Sequence, residues 1–195
     1  RLENPVYHHG LEFYTWRPDT VSASPDQKAI LYIHGGPHIQ EDISWDPMVG
    51  YLTGKGYCFV KVNYSGSTGY TRDFERVDDL HKQSTDLLTV IQYLKTNNEI
   101  ALDEIYLMSS SYGNIPAFDA LRSLQGKIGG LICVSGVTPE NLPYWPHSLS
   151  KEHFLVYYGN HDRIVGSAYD FLLEYGLDPE RSMTIFRGEG HFFHK

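Results

Sequence analysis

A chain of 195 residues is long enough for one domain with a substantial core, and a composition of 41% hydrophobic and 14% aromatic residues excludes disorder. A net charge of −8 with no lysine or arginine run excludes a nucleic-acid partner. No apolar run approaches the length that spans a bilayer, so no membrane association is expected. The start, "RLENPVYHHG", has neither an apolar signal core nor a Met, as expected of a processed or excised chain.

In chain order, "LEFYTW" and "KAILYIHGG" read as strands, the second ending in a glycine turn. "GYCFVKVNY" is apolar on both faces, as a buried parallel strand is. "DDLHKQSTDLLTVIQYLKTNN" has apolar residues at 80, 87, 88, 91 and 94, which is helical spacing, with Asp78 or Asp79 to open the helix and Asn97–Asn98 to close it. "EIYLMS" reads as a strand and "YGNIPAFDALRSLQG" as a helix closed by Gly126, with Pro116 admissible only in its first turn. "GGLICVSG" and "HFLVYYGN" are strands, "SAYDFLLEYG" is a helix closed by Gly176, and "SMTIFRG" is a last strand. This alternation predicts an α/β fold over residues 1–195, a mostly parallel sheet with helices on both faces. Cys58 and Cys133 lie inside apolar strands and read as buried thiols, which fits a reducing, cytoplasmic compartment. The pairs His8–His9 and His191/His194 lack any accompanying metal-binding pattern, so no metal and no cofactor are expected.

In a parallel sheet, ligands bind beyond the carboxyl ends of the strands. Three such ends carry chemistry. In "LMSSSYGN", Ser111 stands two residues before Gly113, where a strand-to-helix turn lifts a serine hydroxyl off the sheet and aims helix amides at the same spot. Taken alone, Ser111 reads equally well as a helix N-cap. Asp162, in "YYGNHDRIV", either bonds its own turn or fixes the tautomer of a histidine. His191, in "RGEGHFF", alone reads as a surface histidine. Together they stand in the order Ser, Asp, His, each after a different strand, which is the order of the α/β-hydrolase triad.

With these residues in view, the chain from about residue 28 to His191 resembles the catalytic domain of prolyl oligopeptidase-type serine peptidases, in the acylaminoacyl-peptidase and dipeptidyl-peptidase branches. "YIHGGPH" resembles the family's His-Gly-Gly-Pro strand end. "VNYSGSTGYTRDF" resembles its Tyr-Arg-Gly-Ser segment, with Ser65 in place of arginine. "SSSYGN", "YGNHDRIV" and "GEGHFF" resemble its nucleophile, acid and histidine motifs. The resemblance implies Ser111 as nucleophile, Asp162 as orienting acid and His191 as general base. It implies oxyanion donors at the Tyr112 N–H and in the His34-Gly35-Gly36 turn, where family members use either backbone or a tyrosine hydroxyl at the place His34 holds. Tyr64, Tyr144 and Trp145 are candidate walls of a substrate pocket, with Tyr112 beside them.

Four departures stand out. Ser109 and Asn114 replace the outer glycines of the elbow, and Asp162 follows Ser111 sooner than is usual. The cap segment is reduced to "VTPENLPYWPHSLSKEH", a minimal cap interrupted by three prolines. The chain stops soon after His191, without the family's closing helix or room for its β-propeller. The expected activity is acyl transfer from a small peptide or ester. A small carboxylesterase, thioesterase or acyltransferase remains a second reading, and a non-catalytic binding protein on the same fold a third. The open site implied by so small a cap would gain its cover from an oligomer or a partner.

Overall fold

The computed structural model describes residues 5–18, 27–44, 46–136, 149, 153–165, 172–173 and 176–193. They form one eight-stranded sheet in the order β1-β2-β4-β3-β5-β6-β7-β8. The strands are β1 (Val6–His8), β2 (Leu11–Trp16), β3 (Ala29–Ile33), β4 (Cys58–Asn63), β5 (Ile105–Ser110), β6 (Gly130–Val134), β7 (Phe154–Gly159) and β8 (Met183–Phe186). β1 and β2 are antiparallel to their neighbours, and all other pairings are parallel. β1 was not expected from the sequence. It returns into β2 through His9 and Gly10, whose φ values of 50° and 79° make a two-residue turn of the kind that matches strand twist.

The described α-helices are α1 (Pro47–Gly54), α2 (Arg72–Glu75), α3 (Leu80–Asn97), α4 (Asn114–Ser123) and α5 (Pro179–Ser182), with 3-10 turns at Leu102–Glu104 and Ser111–Gly113. The choice between Asp78 and Asp79 falls to Asp79, whose carboxylate accepts from the His81 and Lys82 N–H groups at the start of α3. The expected helix over 167–176 lies mostly outside the described residues, although Leu172 and Leu173 are helical and Gly176 follows with φ 64°. The cap segment also lies outside them, apart from Leu149 and His153.

The sheet separates two apolar layers. On one face Leu87, Val90, Ile91 and Leu94 of α3 and Phe118 and Leu121 of α4 pack with Leu31, Val60 and Leu107. On the other, Val49 of α1 packs with Tyr14, Trp16, Ile30 and Phe59. β4 is buried along its whole length, as its apolar run predicts. Within that run Lys61 is paired: its Nζ lies 2.9 Å from Glu41, 3.6 Å from Asp46 and 5.7 Å from the centre of the Trp16 ring. Both cysteines are buried, and burial pushes the Cys133 thiol up to about 12. Among the described residues no helix is long and apolar enough to cross a membrane.

Candidate active site

Ser111 follows β5 directly and opens a 3-10 turn, Ser111–Gly113, that runs into α4. Its φ of 49° lies in the left-handed region, which a non-glycine residue occupies only when its surroundings hold it there. The sharp turn is made possible by close approach. A Cβ on Gly113 would sit 2.4 Å from the His34 carbonyl oxygen and 2.6 Å from that of Ile33, so the start of α4 lies directly on the end of β3. A Cβ on Gly35 would sit 2.9 Å from Ser111 Cβ. Ser111 does not serve as an N-cap, since no side-chain cap bond is made at the start of the turn or of α4.

Asp162 and His191 come from loops that are laced together. The His161 N–H donates to the Glu189 carbonyl at 2.8 Å, and the Gly188 N–H donates to Asn160 Oδ1 at 2.7 Å. Gly159 fits only as glycine, because a Cβ would meet the carbonyl oxygens of Gly190 and Glu189 at 2.5 and 2.6 Å. The two oxygens of Asp162 make different contacts. Oδ1 accepts from the Ile164 and Val165 N–H groups at 2.9 and 3.0 Å, closing the turn, while Oδ2 lies 2.7 Å from His191 Nδ1. Burial opposes the charge on this carboxyl. The bonds from Val165, His191 and Ile164 outweigh that effect and hold the carboxyl below the usual carboxylate range.

An ionised carboxylate only accepts, so Nδ1 carries the proton and the lone pair of His191 is on Nε2. Nε2 lies 2.8 Å from Ser111 Oγ, which therefore donates to it. The three residues read at separate strand ends thus form one hydrogen-bonded series. His191 is 9% exposed and the Asp162 side chain is fully buried, while Ser111 is half-buried. A support that the sequence reading missed is Ser135, at the end of β6, whose hydroxyl donates to the His191 carbonyl at 2.6 Å. Its only sequence signal is a polar residue directly after an apolar strand.

Two expectations need correction. Tyr64 does not face a pocket: it is wholly buried, stacks on His34 at 4.5 Å and donates its hydroxyl to the His34 carbonyl at 3.0 Å. Nor can the His34 ring act as a family tyrosine would. It too is fully buried, with Nε2 2.8 Å from Ser67 Oγ and Nδ1 2.9 Å from the Gly35 carbonyl oxygen, and burial pulls its basicity down. What lies against Ser111 is the backbone of Gly35. The Tyr112 hydroxyl is engaged with Gln83 at 3.0 Å. Tyr144 and Trp145 lie outside the described residues. Beside His191 lies a cavity of about 330 Å³, lined also by His161 and Glu189 of the same two strand-end loops and by Arg163, Ile164 and Phe192.

The sequence pattern of the prolyl oligopeptidase family matches residues 44–138. The dipeptidyl aminopeptidase BIII of Pseudoxanthomonas mexicana is 28% identical over 153 residues, 69% of this chain and 22% of that protein. Dipeptidyl peptidase family member 6 of Caenorhabditis elegans is 29% identical over 131 residues, 61% of this chain and 17% of that protein. The chain thus spans about a fifth of the length of these relatives. A puromycin-hydrolyzing peptidase of Mycobacterium tuberculosis superposes with a TM-score of 0.78 at 19% identity, covering 100% of this chain and 36% of that one. The fold is the α/β-hydrolase fold, and the family that the motifs resemble is the one these comparisons return.

Proposed function

We propose that this chain, of prolyl oligopeptidase type, is a serine hydrolase that cleaves peptide bonds through an acyl-enzyme, with Ser111, His191 and Asp162 as its triad. The observation that carries the proposal is the hydrogen-bonded series from Ser111 Oγ through His191 to Asp162, with the tautomer fixed by the buried carboxylate. His191 Nε2 takes the Ser111 proton as Oγ attacks the substrate carbonyl carbon. The oxyanion so formed is held by the Tyr112 N–H and the backbone of the Gly35–Gly36 turn. Losing one such donor commonly costs about 2.7–4 kcal/mol of transition-state stabilisation. The tetrahedral intermediate collapses, and the imidazolium returns the proton to the leaving amine. Water, deprotonated by the same nitrogen, then attacks the acyl-serine and releases the acid, restoring Ser111. Asp162 orients the ring and offsets its transient positive charge without itself taking the proton.

Peptides are preferred as the substrate class because the similar proteins named above are peptidases. The cavity lined by His191 and Phe192 offers room for a substrate group on the histidine side of the series. The same reading places the protein in the cytoplasm, where a buried thiol such as that of Cys133 stays reduced. A fluorophosphonate probe tests the nucleophile. The parent protein should be labelled, Ser111→Ala should not be, and Ser109→Ala and Ser110→Ala should retain measurable labelling. Labelling of Ser111→Ala equal to the parent would overturn the assignment. Parallel assays on an aminoacyl anilide and on p-nitrophenyl acetate separate peptidase from esterase, and turnover of the ester alone would overturn the peptide preference.

A further inference from the structure

Building on the function proposed above, we infer that Asn114 is a positioning residue whose side chain sets the direction of the Ser111–Tyr112 peptide and so aims the Tyr112 N–H at the developing oxyanion. Ser109 and Asn114 occupy the two places where the resembled elbow carries glycine, and in space they form a single device. Ser109, near the end of β5, is completely buried, and its Oγ donates to Asn114 Oδ1 at 2.6 Å. Asn114, the first residue of α4, is equally buried, and its Nδ2 donates to the Ser111 carbonyl oxygen at 2.7 Å. The amide orientation follows from chemistry: a carbonyl oxygen only accepts, so Nδ2 must face Ser111, which leaves Oδ1 for the Ser109 hydroxyl. The bridge therefore runs from strand to helix across the elbow and ends on the carbonyl of the nucleophile itself.

The anchored carbonyl belongs to the same peptide unit as the Tyr112 N–H. In a trans peptide the C=O and N–H bonds are coplanar and point in opposite directions, so fixing the carbonyl toward Asn114 fixes the N–H away from it. A bond accepted by the carbonyl also polarises the unit and strengthens its N–H as a donor. The need for such a hold is visible in Ser111, whose φ of 49° is not one that a serine keeps unaided. The backbone N–H of Asn114 also donates to the Ser111 carbonyl, so removing the side chain weakens the hold without abolishing it. The loss should therefore fall below the roughly 10²–10³-fold reported for deleting an oxyanion donor outright.

The test compares the parent, Asn114→Ala, Ser109→Ala and the double variant on p-nitrophenyl acetate, with each protein titrated by a fluorophosphonate so that rates are per competent site. Asn114→Ala should lower kcat about ten- to a hundredfold while KM stays within about twofold and the pH profile keeps its shape. Because the two residues act in series, Ser109→Ala should lose less, and the double variant should match Asn114→Ala. If Asn114→Ala does not fold, Asn114→Asp takes its place. Assayed at a pH where its carboxylate is ionised, it keeps the size and the acceptor for Ser109 but has no donor for the Ser111 carbonyl, and the same loss is expected. A per-site kcat equal to the parent in the folded variant would overturn the inference and leave the function standing. A parent that neither labels nor turns over ester would overturn both.

Discussion

Replacing Gly113 with alanine sets two effects of opposite sign against each other. Gly113 has φ −57° and ψ −17°, a conformation open to any residue, at the threshold of α4. On backbone entropy alone alanine would stabilise the protein by about 0.4–1 kcal/mol. Packing opposes this. The new Cβ would lie 2.4 Å from the His34 carbonyl oxygen, and reaching the 3.4 Å of ordinary contact requires a retreat of about 1 Å. The atoms in the way are backbone at the end of β3, a strand paired to β4 on one side and β5 on the other, so no flexible side chain can give way. Overpacking at such a site costs about 1–3 kcal/mol, which exceeds the entropic gain. A net loss of about 1–2 kcal/mol corresponds to a fall in Tm of roughly 2–8 °C for a chain of this size. The displaced strand end also carries Gly35, which abuts Ser111, so kcat on an activated ester should fall by more than the folded fraction does. Thermal melts followed by circular dichroism, with kcat per titrated site, measure both. A Gly113→Ala protein at least as stable and as active as the parent would show that the elbow does not depend on this close approach.

Asp162→Asn should lower turnover by about 10³–10⁴-fold while leaving the far-UV spectrum intact, because the amide no longer fixes the His191 tautomer; a near-parental rate would point to a different acid. The same carboxyl, held below its unfolded value of about 3.9, contributes stability that is fully present above that pH and is lost as the pH falls through the lower folded value. The Tm gap between parent and Asp162→Asn should therefore be constant above about pH 5 and shrink toward pH 2, and a gap that persists unchanged to pH 2 would contradict the account. Lys61→Met leaves the partly exposed Glu41 and Asp46 without their buried cation and should cost about 1–3 kcal/mol in urea denaturation, below the figure for a fully buried pair, with part of it regained in Lys61→Met/Glu41→Gln; a loss no smaller in the double variant would show that the pair is not the source.

The sheet was legible because its signals are local: apolar runs of strand length, and a helix over 80–97 whose spacing and aspartate cap agree. The three site residues were legible because each follows a strand, and parallel strands bring their carboxyl ends to one edge. That rule locates a residue without saying where its side chain points. Tyr64 also follows a strand, yet it turns inward beneath His34, since the chain beyond it bends through Gly66 at φ 102° and its hydroxyl finds the His34 carbonyl. α1 escaped reading because "PMVGYLTG" has two glycines and little separation of apolar from polar faces, although Asp46 and Pro47 at its start were a usable signal. In the sequence, Ser109 and Asn114 read only as replacements of the outer glycines of the elbow. Their meaning lies in a bond between them, which spacing along the chain does not reveal.

The site is built in two halves, and each is held from within. One is the elbow, where Gly113 rests on β3 and the Ser109–Asn114 bridge secures the Ser111 carbonyl. The other is the pair of loops after β7 and β8, laced by backbone bonds around Gly159, which fixes Asp162 against His191. Neither half by itself sets the distance from Ser111 Oγ to His191 Nε2, because β5 and β7 are not neighbours in the sheet. The strand between them is β6. Ser135, at its end, donates its N–H to the Tyr157 carbonyl of β7 and its hydroxyl to the His191 carbonyl, and it holds a left-handed φ of 45° while doing so. A serine held in a costly conformation by two bonds to the partner half is placed to determine how far the base stands from the nucleophile. On this reasoning the 2.8 Å contact on which the proposed chemistry depends is set by the width of one strand and by the residue that ends it.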